Sequence, residues 1–407
     1  MRTPASLRGL PRETYVLALV AFCVALGFGI VVPAVPLFAQ QFGVGSTAAG
    51  AVISAFALMR FVSGLSGGRL VDRVGERAAL LVGLLVVAVS SLLAGLAVSY
   101  PQLLILRGVG GIGSAVFTIA ATSLLLRVAS AAQRGQTQSV YRGGFLIGGI
   151  AGPALGGAVI GVSLRAPFFL YAGTLVLAAL AAATLLPKPP PKPPKADRPP
   201  KEPTVPLRVT LADPSYQAAL AGSFATGFAV FGVRSAIVPL LVVQQLDLGA
   251  GWIGASFTVG AIVQGVLLLP AGKAVDRIGR RPTLVGGGLL VAVALAGLAA
   301  ADGAVGLMVS TVVFSCGASL LGVAPAALVG DVTEGRSGRA VAVWQMASDL
   351  GGVTGPLIAG LLVDYASFGA ALVVSAVVVA VCALVGLRVP GAGSRASHGV
   401  RGSRSIS

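Results

Sequence analysis

The chain has 407 residues, 56% of them hydrophobic and only 10% charged, with a mean hydropathy of +0.94. No soluble exterior can be built from that composition, which excludes a soluble enzyme or binding module and leaves an integral membrane protein. A formal charge of +16 comes from 29 Lys and Arg against 13 Asp and Glu, and where those cations fall decides what the charge means.

A membrane span needs roughly 20 mostly apolar residues. Twelve such stretches follow one another, at about 14–38, 48–68, 78–99, 102–126, 137–160, 165–186, 213–243, 251–271, 283–301, 304–329, 339–363 and 366–388. The first is too long for the apolar part of a signal peptide and has no persuasive cleavage site, so it reads as a retained helix. All are continuous Ala/Val/Leu/Gly runs rather than the alternating ~10-residue segments of a strand barrel. The expected fold class is therefore all-α integral membrane, with twelve transmembrane helices.

The connections between spans carry the charge. The N-terminal tail, the segments 68–77, 127–136, 187–210, 272–282 and 330–339, and the C-terminal tail hold nearly all the Lys and Arg. Arg60, Arg107, Arg142 and Arg234 lie within spans, and Arg165 is alone in the opposite, very short loops, which otherwise carry Asp247, Asp302 and Asp364. The positive-inside rule then puts both termini in the cytoplasm of a multi-pass protein of the bacterial inner membrane. On this reading the net charge reports topology and contact with anionic lipids, not nucleic acid.

Two loops share one pattern. GRLVDRVGER (Gly68–Arg77) joins the second and third stretches, and GKAVDRIGRR (Gly272–Arg281) joins the eighth and ninth. GGIAGPALGG (Gly148–Gly157) in the fifth is answered by GGVTGPLIAG (Gly351–Gly360) in the eleventh. Between the halves lies PKPPPKPPKADRPPKEPTVP, a polyproline-like, semi-rigid linker whose lysines sit at the lipid surface. The expected domains are an N-terminal six-helix bundle at 1–186, the linker at 187–210, a C-terminal six-helix bundle at 211–388 and a disordered tail at 389–407. Such a duplication produces two pseudo-symmetric bundles related about an axis along the membrane normal.

The chemistry in the spans is cationic. An ionised side chain in hydrocarbon costs ~2.5–3.5 kcal/mol on insertion scales and normally faces protein or water. Laying one half on the other sets Arg60 opposite Gln264 and Arg142 opposite Gln345; the one well-buried acid is Asp349. Asp349 has two readings, a proton carrier or a fixed ion-pair partner of Arg60 or Arg234. Tyr141 and Trp344 are candidate stacking walls or interfacial anchors. Cys23, Cys316 and Cys382 have no metal-type spacing, and His398, the one histidine, lies in the polar tail, so no metal and no cofactor is expected. There is no GxxxxGK[ST] phosphate loop for an ATP-driven pump and no nucleophile–base cluster, so no enzyme is expected either.

With these marks the chain resembles the major facilitator superfamily over nearly its whole length. The loop motif Gly68, Asp72, Arg73, Gly75 and Arg77, with its copy Gly272, Asp276, Arg277, Gly279 and Arg281, resembles the family signature. The resemblance implies a latch that holds one face closed in one conformation. Arg107 followed by Gly108, Gly110, Gly111 and Gly113 resembles the fourth-helix motif. Gly148, Gly152, Pro153, Gly156 and Gly157, echoed by Gly355 and Pro356, resemble the fifth-helix motif of the antiporter branch, and close helix approach with a proline bend accounts for them physically. The resemblance further implies the major facilitator fold and a central cavity on whose helices Arg60, Arg107, Arg142, Arg234, Gln264, Gln345 and Asp349 fall.

One departure stands out: GFGIVVPAVP (Gly27–Pro36) has no acid, where many proton-coupled drug antiporters of the family carry one. A cavity richer in Arg than in carboxylate suits an anionic or zwitterionic substrate, and coupling then falls to Asp349, to Glu13 or to the substrate. The expected function is secondary active transport of a small organic molecule: proton-coupled efflux by alternating access, by a monomer. The alternatives are an organic-anion importer or exchanger of the same fold, and a non-transporting sensor or scaffold.

Overall fold

The structure, a computed structural model, describes residues 10–129, 133–187, 207–333 and 338–390. Among them there is no strand, and twelve helical stretches are long and apolar enough to cross a membrane, which bears out the all-helical, twelve-span expectation. Most of the proline linker, the tail beyond Pro390 and His398 lie outside the described residues.

The helices, in chain order, are α1 (Arg12–Val31), α2 (Ala34–Gln40), α3 (Ser46–Val74), α4 (Glu76–Gly95), α5 (Tyr100–Val128), α6 (Arg134–Ile160), α7 (Ala166–Leu185), α8 (Leu207–Ala212), α9 (Pro214–Thr226), α10 (Arg234–Leu240), α11 (Gly251–Arg277), α12 (Arg280–Ala299), α13 (Ala304–Thr333), α14 (Gly338–Tyr365) and α15 (Phe368–Val385). α1 and α2 form one span that breaks at Pro33, which has no amide to continue the ladder. The seventh span runs through α9, a π-helical Gly227–Val233, α10 with Pro239 inside it, and a π-helical Leu241–Gln245. Large apolar side chains stay exposed along α4 (Val82, Leu85, Val89, Leu92, Leu93), where a soluble protein would place charge.

The chain forms two compact units. The first is residues 1–198 with 235–265, and the second is 199–234 with 266–407. In the first, Leu17, Phe38, Leu80, Leu84, Leu103, Leu125, Phe168, Tyr171 and Leu175 are fully sequestered. Its central seam is glycine-lined: Gly144, Gly148, Gly152 and Gly156, four apart on α6, lie on the backbone of α1. A methyl group at Gly148 would strike the Phe22 carbonyl, and one at Gly156 would reach the Ile30 carbonyl at 2.8 Å. Gly157 lies directly on the backbone of Gly254 in α11, within the same unit. Small residues at this spacing remove the side-chain layer that otherwise keeps helices ~8–10 Å apart.

The second unit repeats the device. Gly351 and Gly355 of α14 abut the Phe224 and Phe228 carbonyls, the latter at 2.5 Å from a Cβ placed on Gly355, and Pro356 closes on Gly232. Asp213 caps α9 by accepting from the Ser215 N–H at 2.7 Å, and Ser367 caps α15 by accepting from the Ala370 N–H at 3.0 Å. The duplicated loops turn at their second glycine: Gly75 has φ +86° and Gly279 φ +107°, a region that costs a residue with a Cβ ~1–2 kcal/mol. Their first glycines, Gly68 and Gly272, have open space where a Cβ would stand, so neither serves a close approach here.

Candidate functional site

Arg107 is the most deeply buried cation described. It stands one turn before Gly110 and Gly111 on the same face of α5. Gly111 rests on the Phe56 backbone of α3, Gly113 on the Gly83 carbonyl of α4, and a Cβ at Gly110 would meet Ser90 at 2.9 Å. That glycine-permitted approach drives the arginine into the bundle, where it is 3% exposed, with its guanidinium 4.7 Å from the centre of the Phe56 ring. The Nε atom is buried with no hydrogen-bond partner. A cation over a ring gains ~0.5–2 kcal/mol, whereas an unpaired charge removed from water costs several kcal/mol. Phe56 therefore offsets only part of the burial.

Aromatic rings continue from there. Phe28 of α1 lies 6.0 Å from Phe56 and 6.3 Å, edge-on, from Tyr171 of α7. Phe28 is half-buried, Phe56 and Tyr171 nearly fully buried. The hydroxyl of Tyr171 is within electrostatic range of both Arg107 and Arg60, the latter half-buried on α3. The structure thus brings two of the candidate arginines around one tyrosine inside the first unit. Gln264, also in that unit, is half-buried on α11. Arg142 is exposed on α6.

In the second unit Arg234 begins α10, half-buried, with its guanidinium 5.5 Å from the Phe314 ring of α13. Asp349 is half-buried on α14, and Gln345, one turn before it, is exposed. Back in the first unit, Tyr141 is buried against Phe145, ring centres 5.2 Å apart, and its hydroxyl has no partner; in the second, the Trp344 Nε1 is likewise buried and unpartnered. Among the described residues no group of three His, Cys, Asp or Glu is placed to hold a metal.

The loop motifs resolve into specific ties. Arg77 donates from Nη2 to the Ala183 carbonyl at 2.5 Å, joining the start of α4 to the last turn of α7. Asp276 pairs with Arg280 at 3.6 Å and is itself largely exposed, while Arg73, Arg277 and Arg281 are exposed. Asp72 lies in the last turn of α3, and its side chain lies outside the described residues.

The closest ion pairs at the loops were not singled out from sequence. Glu76 opens α4 and pairs with Arg127 in the last turn of α5 at 3.1 Å. At the same offset in the other half, Arg280 opens α12 and pairs with Asp331 near the end of α13 at 3.0 Å. The two ion pairs occupy equivalent places with their signs exchanged. The signal was there, in two acid–base positions that invert together between the halves. Phe28, Phe56 and Phe314 were also passed over, because span composition alone does not mark which aromatic meets which cation. Arg165, the exception to the charge pattern, is a staple: it donates to the Gly95 and Ala97 carbonyls at 3.4 and 3.3 Å and lies 5.5 Å from the Phe38 ring centre.

Comparison with known proteins agrees with this architecture. The model of the Major Facilitator Superfamily matches residues 17–250 and 220–405. Multidrug resistance protein 1 of Bacillus subtilis (strain 168) is 26% identical over 348 residues, covering 84% of this chain and 87% of that protein. Quinolone resistance protein NorA of Staphylococcus aureus (strain MRSA252) is 27% identical over 179 residues, 43% of this chain and 45% of that one. Among solved structures, a bacterial homolog of the human lysosomal transporter Spinster, inward-facing and unoccupied, superposes with a TM-score of 0.75 at 17% identity, covering 93% of this chain and 97% of that one.

Proposed function

The chain belongs to the major facilitator superfamily, and from that premise we propose that it exports a small organic molecule in exchange for protons, by alternating access. Its place in that family and its twelve apolar helices make it a multi-pass membrane transporter. The observation that carries the export reading is the pair of relatives, one spanning most of both chains, whose names are those of resistance proteins. The glycine–proline run Gly148–Gly157 of α6, with its resemblance to the antiporter branch, supports the same direction.

Within this reading Arg60, Arg107 and Arg234 are the substrate-path cations and Asp349 is the proton carrier. Arg142, Gln264 and Gln345 contribute polar surface to the path. The loop residues from Gly68 to Arg77 and from Gly272 to Arg281 serve the change of conformation, with the Glu76–Arg127 and Arg280–Asp331 pairs holding each loop to its own unit. The charge distribution supports a bacterial inner membrane location with both termini in the cytoplasm, and the basic loops suit anionic lipid headgroups. The protein works as a monomer.

The test is accumulation of a panel of fluorescent organic cations, anions and zwitterions in cells with and without the chain. An exporter lowers the cell content of at least one compound, and a protonophore restores it. Higher content in the expressing cells would favour the importer instead, and no change for any compound would favour the non-transporting sensor.

A further inference from the structure

We infer that Arg107 is an anion-binding point, and that it takes the acid group of an aromatic organic acid whose ring lies against Phe28 and Phe56. The inference rests on the transport reading above and names the substrate class of that site.

Three observations lead there. The guanidinium is buried, its Nε has no partner, and the group recorded against it is a ring rather than a carboxylate. Arg60 is a second arginine within electrostatic range of the same Tyr171. The described acids of the first unit do not answer it from within the bundle. Glu13 is in the first turn of α1, Glu76 pairs with Arg127 at the start of α4, and Asp247 lies in the turn before α11. The compensating charge is therefore one that arrives and leaves.

The walls say what carries it. From Arg107 the neighbouring surface is Phe56, then Phe28, then Tyr171, in an unbroken series of ring contacts. Phe28 is the member left half-exposed. A planar ring gains offset or edge-to-face contact there while its acid reaches the Nε–H. A simple inorganic anion would use the charge and leave the aromatic wall without a role.

The experiment uses the full chain in lipid nanodiscs and four probes: 2-naphthoate, 2-naphthylmethylammonium with the same ring and opposite charge, acetate with the charge and no ring, and chloride. Calorimetry and the thermal midpoint are read for each. The expected result is binding of 2-naphthoate at least tenfold tighter than acetate or chloride, with none by the ammonium compound. Arg107→Gln should lose that binding tenfold or more, Arg107→Lys less, and Phe28→Leu should weaken 2-naphthoate but not acetate. The ligand-free midpoint of Arg107→Gln should stay level or rise, since the variant no longer buries an unpaired charge. A lowered midpoint with 2-naphthoate binding untouched would make Arg107 a structural arginine and overturn the inference. Equal binding of acetate, chloride and 2-naphthoate would overturn its aromatic part. Should Arg107→Gln fail to fold, Arg107→Lys and Phe28→Leu decide by the same readings.

Everted vesicles separate this from the transport reading. Binding of 2-naphthoate with no gradient-driven movement of any probe would remove export and leave the site. Proton-driven movement of the ammonium probe, with 2-naphthoate neither bound nor moved, would leave export and remove the site.

Discussion

Exchanging the signs of Glu76 and Arg127 should be far less damaging than changing either alone, because the protein already contains the exchanged arrangement at Arg280 and Asp331. Arg127→Glu sets two carboxylates against each other. One of them, Glu76, has a side chain only 8% exposed, while the Arg127 side chain is 29% exposed. Breaking a fully buried pair from one side costs ~3–5 kcal/mol, so with one partner partly in water the loss here should be about 1–3 kcal/mol. Glu76→Arg should cost a similar amount. The double variant Glu76→Arg/Arg127→Glu restores the attraction, with one remaining penalty. Glu76 sits at the N-terminus of α4 and Arg127 at the C-terminus of α5, both favoured by the helix dipoles, and the exchange reverses both. Each reversal costs ~0.3–1 kcal/mol at an exposed site. Arg280–Asp331, already reversed and more exposed, should be the weaker pair. The assay is a double-mutant cycle on the thermal midpoint of the purified protein, read with the surviving fraction after a fixed heat pulse because unfolding of so large a membrane protein need not be two-state. If the double variant is as unstable as the sum of the singles, the pair is incidental and does not hold the loop.

Three further outcomes follow from the same geometry. Gly148→Leu should separate α1 from α6, costing at least ~1–3 kcal/mol by overpacking, whereas Gly68→Ala, facing open space, should leave the midpoint unchanged. Gly75→Ala and Gly279→Ala should each lower stability by ~1–2 kcal/mol through their positive φ, and an alanine of unchanged midpoint at either place would contradict the turn described. Arg165→Gln should loosen the turn between α4 and α5 by ~1–2 kcal/mol, seen as faster amide exchange at Gly95–Ser99, while charge-conserving Arg165→Lys should recover little because it lacks the fork that spans two carbonyls.

Much of the architecture was legible because membrane burial writes itself in composition: a span must satisfy its backbone internally, and twelve apolar runs between charged turns leave few alternatives. The duplicated loop and the glycine–proline runs also placed their helices in register, and the α1–α6 seam is the physical expression of GGIAGPALGG. Three features were not legible. The loop pattern does not mark which of its glycines makes the turn: Gly68 and Gly272 face open space, and the turn is made by the φ of Gly75 and Gly279. The seventh span reads as one continuous apolar run, and nothing in it marks the two π-helical stretches around Arg234 and Pro239 or the unit boundary at Ser235. For Arg107 the sequence gives the depth but not the neighbour. Gly27–Pro36 holds no acid, and Phe28 within it is unmarked, because a hydrophobic residue in a span carries no signal until a cation is seen beside it.

The most direct test of proton-coupled transport is made on purified protein in liposomes loaded with a pH-reporting dye, with the lumen acidified relative to the outside and the panel compounds added outside. At least one compound should accumulate in the lumen while the lumen alkalinises, and Asp349→Asn should abolish both movements while retaining binding. Uptake that proceeds with no proton movement, or that persists undiminished in Asp349→Asn, would contradict the proton-exchange role given to Asp349.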